Sequence, residues 1–367
     1  MRYLLQVNTG SFLRCPFSPD YVVSRVKNCL ERVDVTEVIY GWTGQHRVHD
    51  ALANLLIKRS IRQHLWLPVF SDTRHSASTM PFVQVDGEVS GAIRLREGED
   101  FQFVCPSASE NLSAVLDTFE FLAADLPLDG VFLDRIRYPS AANSPKVLMG
   151  CQCAQCQTVY EAAGVDIERI RGEIKRLLMP ESLDEGRYHF ADPDVEALFG
   201  IKRAAITKAV RKFCAFFRAK GLSIGLDAFA PIIADFVGQD VAELGNIVDF
   251  IKPMMYRCTH APAGIPFEID VLKDVLRAGF GDRLAQLWGG DMLSDEVNLK
   301  QMAWLQSASH NVYPGIEMNR IPGICDSTPE YLLKSIALAQ TAGCECVVLS
   351  WDALFMPADI LETLAKN

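Results

Sequence analysis

Three carboxylates stand where short apolar runs stop. Val131-Phe132-Leu133 ends on Asp134, followed by Arg135, Ile136, Arg137 and Tyr138 before Pro139. Gly225-Leu226 ends on Asp227, and Gly315-Ile316 ends on Glu317. An apolar run that ends abruptly on a charge is how a buried strand delivers a reactive group to a pocket. Asp134 could instead form an ordinary salt bridge with Arg135 or Arg137, so its surroundings have to decide. Several acids around one mouth suit glycosidic bond cleavage, in which a carboxylic acid protonates the leaving oxygen and a carboxylate attacks or activates water. Asp134 is the leading catalytic candidate; Asp227 and Glu317 are its candidate partners, and the pairing stays open at this level.

Aromatic and polar side chains near the ends of the same runs fit a sugar. Trp42, Tyr138, Tyr256, Trp288 and Trp351 could stack on pyranose faces, while Asp72, Arg137 and Asp352 could bind hydroxyls. Each aromatic taken singly could equally be core or rim packing, since Trp and Tyr are commonly buried with one polar end satisfied.

Cys151-Gln152-Cys153-Ala154-Gln155-Cys156 offers a different chemistry, three sulfurs close enough to converge on one ion. Zinc prefers four ligands, so a fourth comes from elsewhere. Cys105 is the choice, because its strand-like segment leads to the same side of the fold, with Cys258 and His189 as alternatives. A four-cysteine zinc site is closed and would stabilise its loop without doing chemistry.

The elements that must position these residues can be read from periodicity. Short apolar runs alternate with amphipathic stretches, the pattern of βα units around a parallel sheet. Strands are expected near 3–8, 36–41, 65–70, 130–134, 222–227, 248–256, 310–317 and 345–351. Eight of them make an α/β (β/α)8 barrel spanning 1–367 as one domain. Ser18-Pro19-Asp20 and Thr328-Pro329-Glu330 open helices over Tyr21–Val33 and Tyr331–Ala342, and a third helix spans 194–219. Residues two apart on a strand share a face, so Gly225 points with Asp227, Met254 with Tyr256 and Gly315 with Glu317. Small residues below and acids above leave a hole ringed by carboxylates. Two connections are long: about 71–128 after strand 3, and the cysteine-bearing insertion at about 140–193 after strand 4. Both belong on the C-terminal face, where barrel enzymes build their sites.

Bulk properties narrow the function. The 367 residues are 49% apolar and 22% charged, enough for a large core. Thirty-six basic residues against 46 acidic ones give a net charge of -10, with the basic side chains scattered, so neither nucleic acid nor an anionic membrane is an expected partner. Met1 to Asn8 turns polar at once, without the apolar core of a leader, and no apolar run reaches membrane-spanning length. Eleven cysteines, an odd number spread over apolar segments, read as reduced thiols, and the expected compartment is the cytoplasm. No Gly-x-Ser-x-Gly elbow, Walker loop or dinucleotide fingerprint is present, so no organic cofactor is expected.

Two resemblances enter here. Asp129 to Pro139 resembles the fourth-strand signature Asp-Gly-x-His-Leu-Asp-x-Ile-Arg-Tyr-Pro of bacterial glycoside hydrolases in the glycosyl-hydrolase-like barrel group. Gly225-Leu226-Asp227-Ala228-Phe229-Ala230-Pro231 and Asp249-Phe250-Ile251-Lys252-Pro253-Met254-Met255-Tyr256 agree with that group in order. The likeness implies a sugar-hydrolysing barrel with Asp134 in the site; Phe132 departs from it, where a His is usual. Cys105-Pro106 with Cys151, Cys153 and Cys156 is similar to the structural zinc segments of family 42 β-galactosidases. In that clan the acid is an Asn-Glu after strand 4 and the nucleophile a Glu after strand 7. Glu317 matches the second position, while Asp134 stands in place of the first.

The expectation is thus a glycoside hydrolase-like enzyme with a carbohydrate substrate and a structural zinc. A non-hydrolytic carbohydrate-binding barrel, and a barrel lyase or isomerase using a divalent ion, are the other readings. The sequence does not fix the oligomeric state, a homo-oligomer included.

Overall fold

The computed structural model describes residues 1–9, 17–41, 46–71, 79–89 and 102–366. Eight strands, β1 (Arg2–Asn8), β2 (Val35–Gly41), β3 (Arg62–Pro68), β4 (Gly130–Asp134), β5 (Ser223–Phe229), β6 (Phe250–Met254), β7 (Gly315–Glu317) and β8 (Cys346–Ser350), pair in sequence order, and β8 closes on β1. Every pair is parallel, as a barrel with helical crossovers requires. The chain is a (β/α)8 barrel.

Proline sets the main departures from the expected strand limits. The seventh strand is confined to Gly315–Glu317, because Pro314 has no N–H to give the ladder; its carbonyl still accepts from Val348 N at 3.0 Å. Upstream of it, Val312 contributes only an isolated bridge to Ile251. The third strand lies earlier than expected and ends on Pro68. The sixth is shorter than 248–256, and Pro253 sits inside it opposite Ala228.

The strand alternation separates two cores. Leu4, Ile39, Trp66, Phe132, Phe250, Cys346 and Val348, with Tyr313 against them, form a cluster inside the barrel. Their outward-facing neighbours, Leu65, Leu67, Val131, Leu133, Ile224 and Leu226 among them, join the helices in the main core. Phe132 and Phe250 stack at 5.9 Å within the barrel, and Gly225, in register with both, makes room for them. A Cβ there would lie 2.2 Å from the Phe250 ring and 2.7 Å from that of Phe132.

The helices begin where their caps dictate. Ser18 accepts from Tyr21 N at the head of the helix Pro19–Leu30, and Thr328 from Tyr331 N at the head of Pro329–Thr341. Asp192 caps the long helix Pro193–Ala219. After β3, the strand-like segment of Cys105 forms, among the described residues, the isolated bridges Ser71–Phe103 and Pro81–Val104, and a helix spans Ser109–Ala123. The insertion after β4 holds a 3-10 turn, helices Ala154–Ala162 and Ile167–Leu177, and a hairpin of Pro180–Asp184 with Arg187–Phe190. Among the described residues no helix is long and apolar enough to cross a membrane.

Gly225→Ala should destabilise the protein by about 1–3 kcal/mol, the usual cost of overpacking a filled core. Urea denaturation measures it, and an unchanged midpoint would mean the aromatic floor is not rigid.

Candidate functional site

Asp134 is the last residue of β4, and both its oxygens accept hydrogen bonds. Trp66 Nε1, from the adjacent β3, donates to Oδ2 at 2.9 Å, and the Arg135 amide donates to Oδ1 at 2.5 Å. Arg135 itself has φ 51°, a left-handed conformation that costs a residue with a Cβ about 1–2 kcal/mol. The same turn lets Arg135 Nη1 donate to Ser71 Oγ at 2.9 Å.

Asp227, on the neighbouring β5, is buried against a residue that the motif reading did not single out. Lys252, on β6, donates from Nζ to Asp227 Oδ2 at 3.0 Å and to Tyr256 Oη at 2.6 Å, and it is wholly buried. Gly315 on β7 provides its space, since a Cβ there would lie 2.3 Å from Lys252 Cε. Burial pushes the Asp227 carboxyl up to about 7, and the charge of Asp134 adds to this while Lys252 opposes it. Burial holds the Lys252 amine below its ordinary value and the Tyr256 phenol well above its own.

A cleft of about 660 Å³, counted to its open mouth, joins these groups. Asp134, Asp227, Arg135 and Arg137 line it together with Trp66, Phe229, Met254, Tyr256, Thr259 and Trp351. Arg137 lies between the rings of Phe103 and Phe229, 4.8 and 4.3 Å from their centres, and donates to Tyr138 O. Its pKa is lowered to about 10 by burial, with Glu268 pulling the other way.

Other candidates are placed elsewhere. Tyr138 is buried beside Phe82 and Lys202 and does not line the cleft. Asp352 is a cap: its Oδ1 accepts from Asn8 N and Leu354 N, each at 3.1 Å, and burial pushes its carboxyl up to about 7. Trp288 is buried and donates to Tyr188 Oη. Glu317 ends β7 as expected but is fully buried outside the cleft lining; the Cys258 amide, Thr259 Oγ1 and Tyr331 Oη all donate to it. Trp42 and Asp72 lie outside the described residues.

Two signals for the missed residues were present in the sequence. Lys252 is a charge at an inward position of an apolar strand, alternating with Phe250 and Met254. Trp66 occupies the same face of β3 as His64 and Pro68. Nothing local marks Arg135, whose part depends on a backbone angle.

Cys105, Cys151, Cys153 and Cys156 come together, all buried. Cys105 Sγ lies 3.5 Å from Cys156 Sγ and 3.7 Å from Cys153 Sγ. Zinc–sulfur bonds of about 2.3 Å in a tetrahedron give sulfur–sulfur edges of about 3.8 Å, so these residues fit the ion. The Val83 amide points at Cys151 Sγ, and Gln152 N donates to Val83 O, which fastens the connection after β3 to the insertion after β4. His189 is not in this group; its Nδ1 lies 3.2 Å from Glu196 Oε1.

No family profile matches the chain, and no curated protein matches it. Among solved structures it is similar to the glycoside hydrolase domain of PgaB (BpsB) from Bordetella bronchiseptica, at 13% identity and TM-score 0.55, over 99% of this chain and 97% of that one. It is also similar to α-L-fucosidase isoenzyme 2 from Paenibacillus thiaminolyticus, at 12% identity and TM-score 0.53, over 100% of this chain and 48% of that one. The spore cortex-lytic enzyme SleL of Bacillus megaterium gives 8% identity and TM-score 0.50, over 100% and 73%. The class is therefore a (β/α)8 barrel of the architecture these proteins use. At such identities the likeness is one of fold, and the family 42 resemblance gains no family match.

Cys151→Ser should release one zinc per chain and lower Tm by several degrees, since metal binding is coupled to folding. Metal analysis with a thermal melt checks this; an unchanged Tm and metal content would remove the structural site.

Proposed function

We propose that the protein cleaves a glycosidic bond, with Asp227 as the proton donor and Asp134 as the carboxylate that attacks the sugar or activates water. The observation that carries this reading is the meeting of the two carboxyls, from adjacent strands, in one cleft walled by Trp66, Tyr256 and Trp351. Their environments differ in the sense the chemistry needs. Asp134 accepts at both oxygens, as a carboxylate does, while burial favours the protonated form of Asp227. Asp227 gives its proton to the leaving oxygen as the C–O bond breaks, and the ammonium of Lys252 beside it stabilises the carboxylate left behind. Lys252 is thus a positioning residue. Arg137 and Arg135 on the cleft wall can bind sugar hydroxyls, and the aromatic rings can stack on sugar faces. Similar folds in a glycoside hydrolase domain and an α-L-fucosidase support the reading. Zinc at the four cysteines would hold the two connections together and take no part in the reaction. A cytoplasmic location goes with this reading, since eleven cysteines, an odd number, suit a reducing compartment.

A screen of aryl glycosides and oligosaccharides tests the proposal, with Asp134→Asn as control. Asp134→Asn and Asp227→Asn should each lower kcat by about 10²–10⁴ on the substrate found. Full turnover in either variant would remove that residue from the chemistry. Saturable sugar binding with no product, unaltered in both variants, would identify a carbohydrate-binding barrel instead.

The pH dependence has a definite sign. Asp227 faces Lys252 and Tyr256 from the β6 side, Asp134 from β4 and Gln6 from β1, and its pKa stays near 7. Activity should therefore fall as pH rises through about 7, when the donor loses its proton. Between about pH 4 and 7 the folded chain holds this proton and the unfolded chain does not, so this group's contribution to stability declines over the same window. A kcat/KM profile with no alkaline fall near neutrality would exclude Asp227 as the donor.

A further inference from the structure

A second group of metal-ligand side chains lies behind the wall of the cleft, apart from the four-cysteine cluster. Cys258 follows β6, Glu317 ends β7, and Cys325 lies on the short hairpin of Arg320–Ile321 with Cys325–Asp326 that follows β7. The backbone fixes them together: Thr259 bridges Cys325 in antiparallel fashion, and His260 N donates to Ile324 O at 2.6 Å. Cys258 Sγ is 3.8 Å from Cys325 Sγ and 3.5 Å from Glu317 Oε1, and one ligand atom from each residue lies within 4.8 Å of the others.

These separations have a chemical meaning. Tetrahedral zinc with bonds of about 2.3 Å to sulfur and about 2.0 Å to oxygen places sulfur about 3.8 Å from sulfur and about 3.5 Å from oxygen. A disulfide would need the sulfurs at about 2.05 Å. Glu317 is also oriented as an outer shell orients a ligand: the Cys258 amide and Thr259 Oγ1 donate to Oε1, and Tyr331 Oη to Oε2. What this arrangement lacks is positive charge. Among the described residues no basic side chain forms an ion pair with Glu317, and Lys252 is held by Asp227. A buried carboxylate beside two thiols is costly unless a cation answers it.

We infer that Cys258, Glu317 and Cys325 bind a second transition-metal ion, zinc by the softness of two thiolates, with water or a substrate hydroxyl as fourth ligand. Binding releases the two thiol protons to solvent. Three protein ligands leave one coordination position, the mark of a site that can take an exogenous oxygen. Thr259 and Ile324, next in sequence to the two cysteines, line the cleft, so the group adjoins the cleft wall. The inference goes beyond the hydrolytic reading and agrees with it, because it gives Glu317 to the metal and leaves Asp134 and Asp227 as the pair.

The test is zinc content of the full chain, purified without chelator or added metal, together with optical spectra after replacement of zinc by cobalt. The wild type should hold two zinc ions per chain; Cys258→Ser, Cys325→Ser and Cys151→Ser should each hold one. The cobalt protein should show thiolate charge-transfer bands whose intensity falls in Cys258→Ser while the four-cysteine contribution persists. A thermal melt identifies any variant that fails to fold, and the wild-type stoichiometry stands without the variants. The inference is overturned if the wild type holds only the ion lost in Cys151→Ser, or if intact-mass analysis finds Cys258 and Cys325 joined as a disulfide with zinc content unchanged. Neither result touches hydrolysis, and a chain with two ions but no glycosidase activity would refute only the hydrolytic reading.

Discussion

A lysine inside a barrel needs space for its stem and an answer to its charge, and much of this site follows from meeting both needs at Lys252. Gly315 supplies the space on β7, and Asp227 on β5 accepts a hydrogen bond from the amine. Tyr256, farther along the same chain segment, takes another of the ammonium hydrogens. The Lys252–Asp227 contact thus links β6 to β5 through side chains as well as through their ladder. Burial also raises the pKa of Asp227 and lowers that of Lys252, and Asp227 lines the cleft.

Beneath the pair the barrel is closed by aromatic rings. Trp66, Phe132 and Phe250 pack there, with Gly225 left bare so that two of the rings can stack. This explains the place of Phe132, where the resembling group has a His: the ring belongs to the floor. Trp66 serves both layers, since its ring lies in the floor and its Nε1 donates to Asp134. Above the floor, the cysteines join two long connections at Cys105 and Cys151, and the hairpin carrying Cys325 is held to the segment after β6. Both thiol groups thus lie where separate pieces of chain meet around the C-terminal face.

The fold was legible because its signals are local. Eight apolar runs, the caps at Ser18 and Thr328, and the length of the stretches between them depend on neighbours in sequence. Strand limits were less legible where proline removed a donor, as at Pro314, since the loss depends on which strand lies alongside. The Cys105 choice rested on sequence order, and the structure groups it with the other three. Tyr138 and Asp352 show the opposite case: both follow strand ends, yet one is packed against Phe82 and Lys202 and the other caps a turn.

By itself the sequence determined the barrel, the order of its strands and the acids at their ends, because alternation and turn chemistry act over a few residues. Only the tertiary structure decided which of those acids share a cleft. Asp134 and Asp227 meet there, while Glu317, equally well placed on its strand, is drawn to Cys258, Thr259 and Tyr331. The reason is physical: a carboxylate's role is set by the donors and charges within a few ångströms, and those come from strands and loops far apart in the chain.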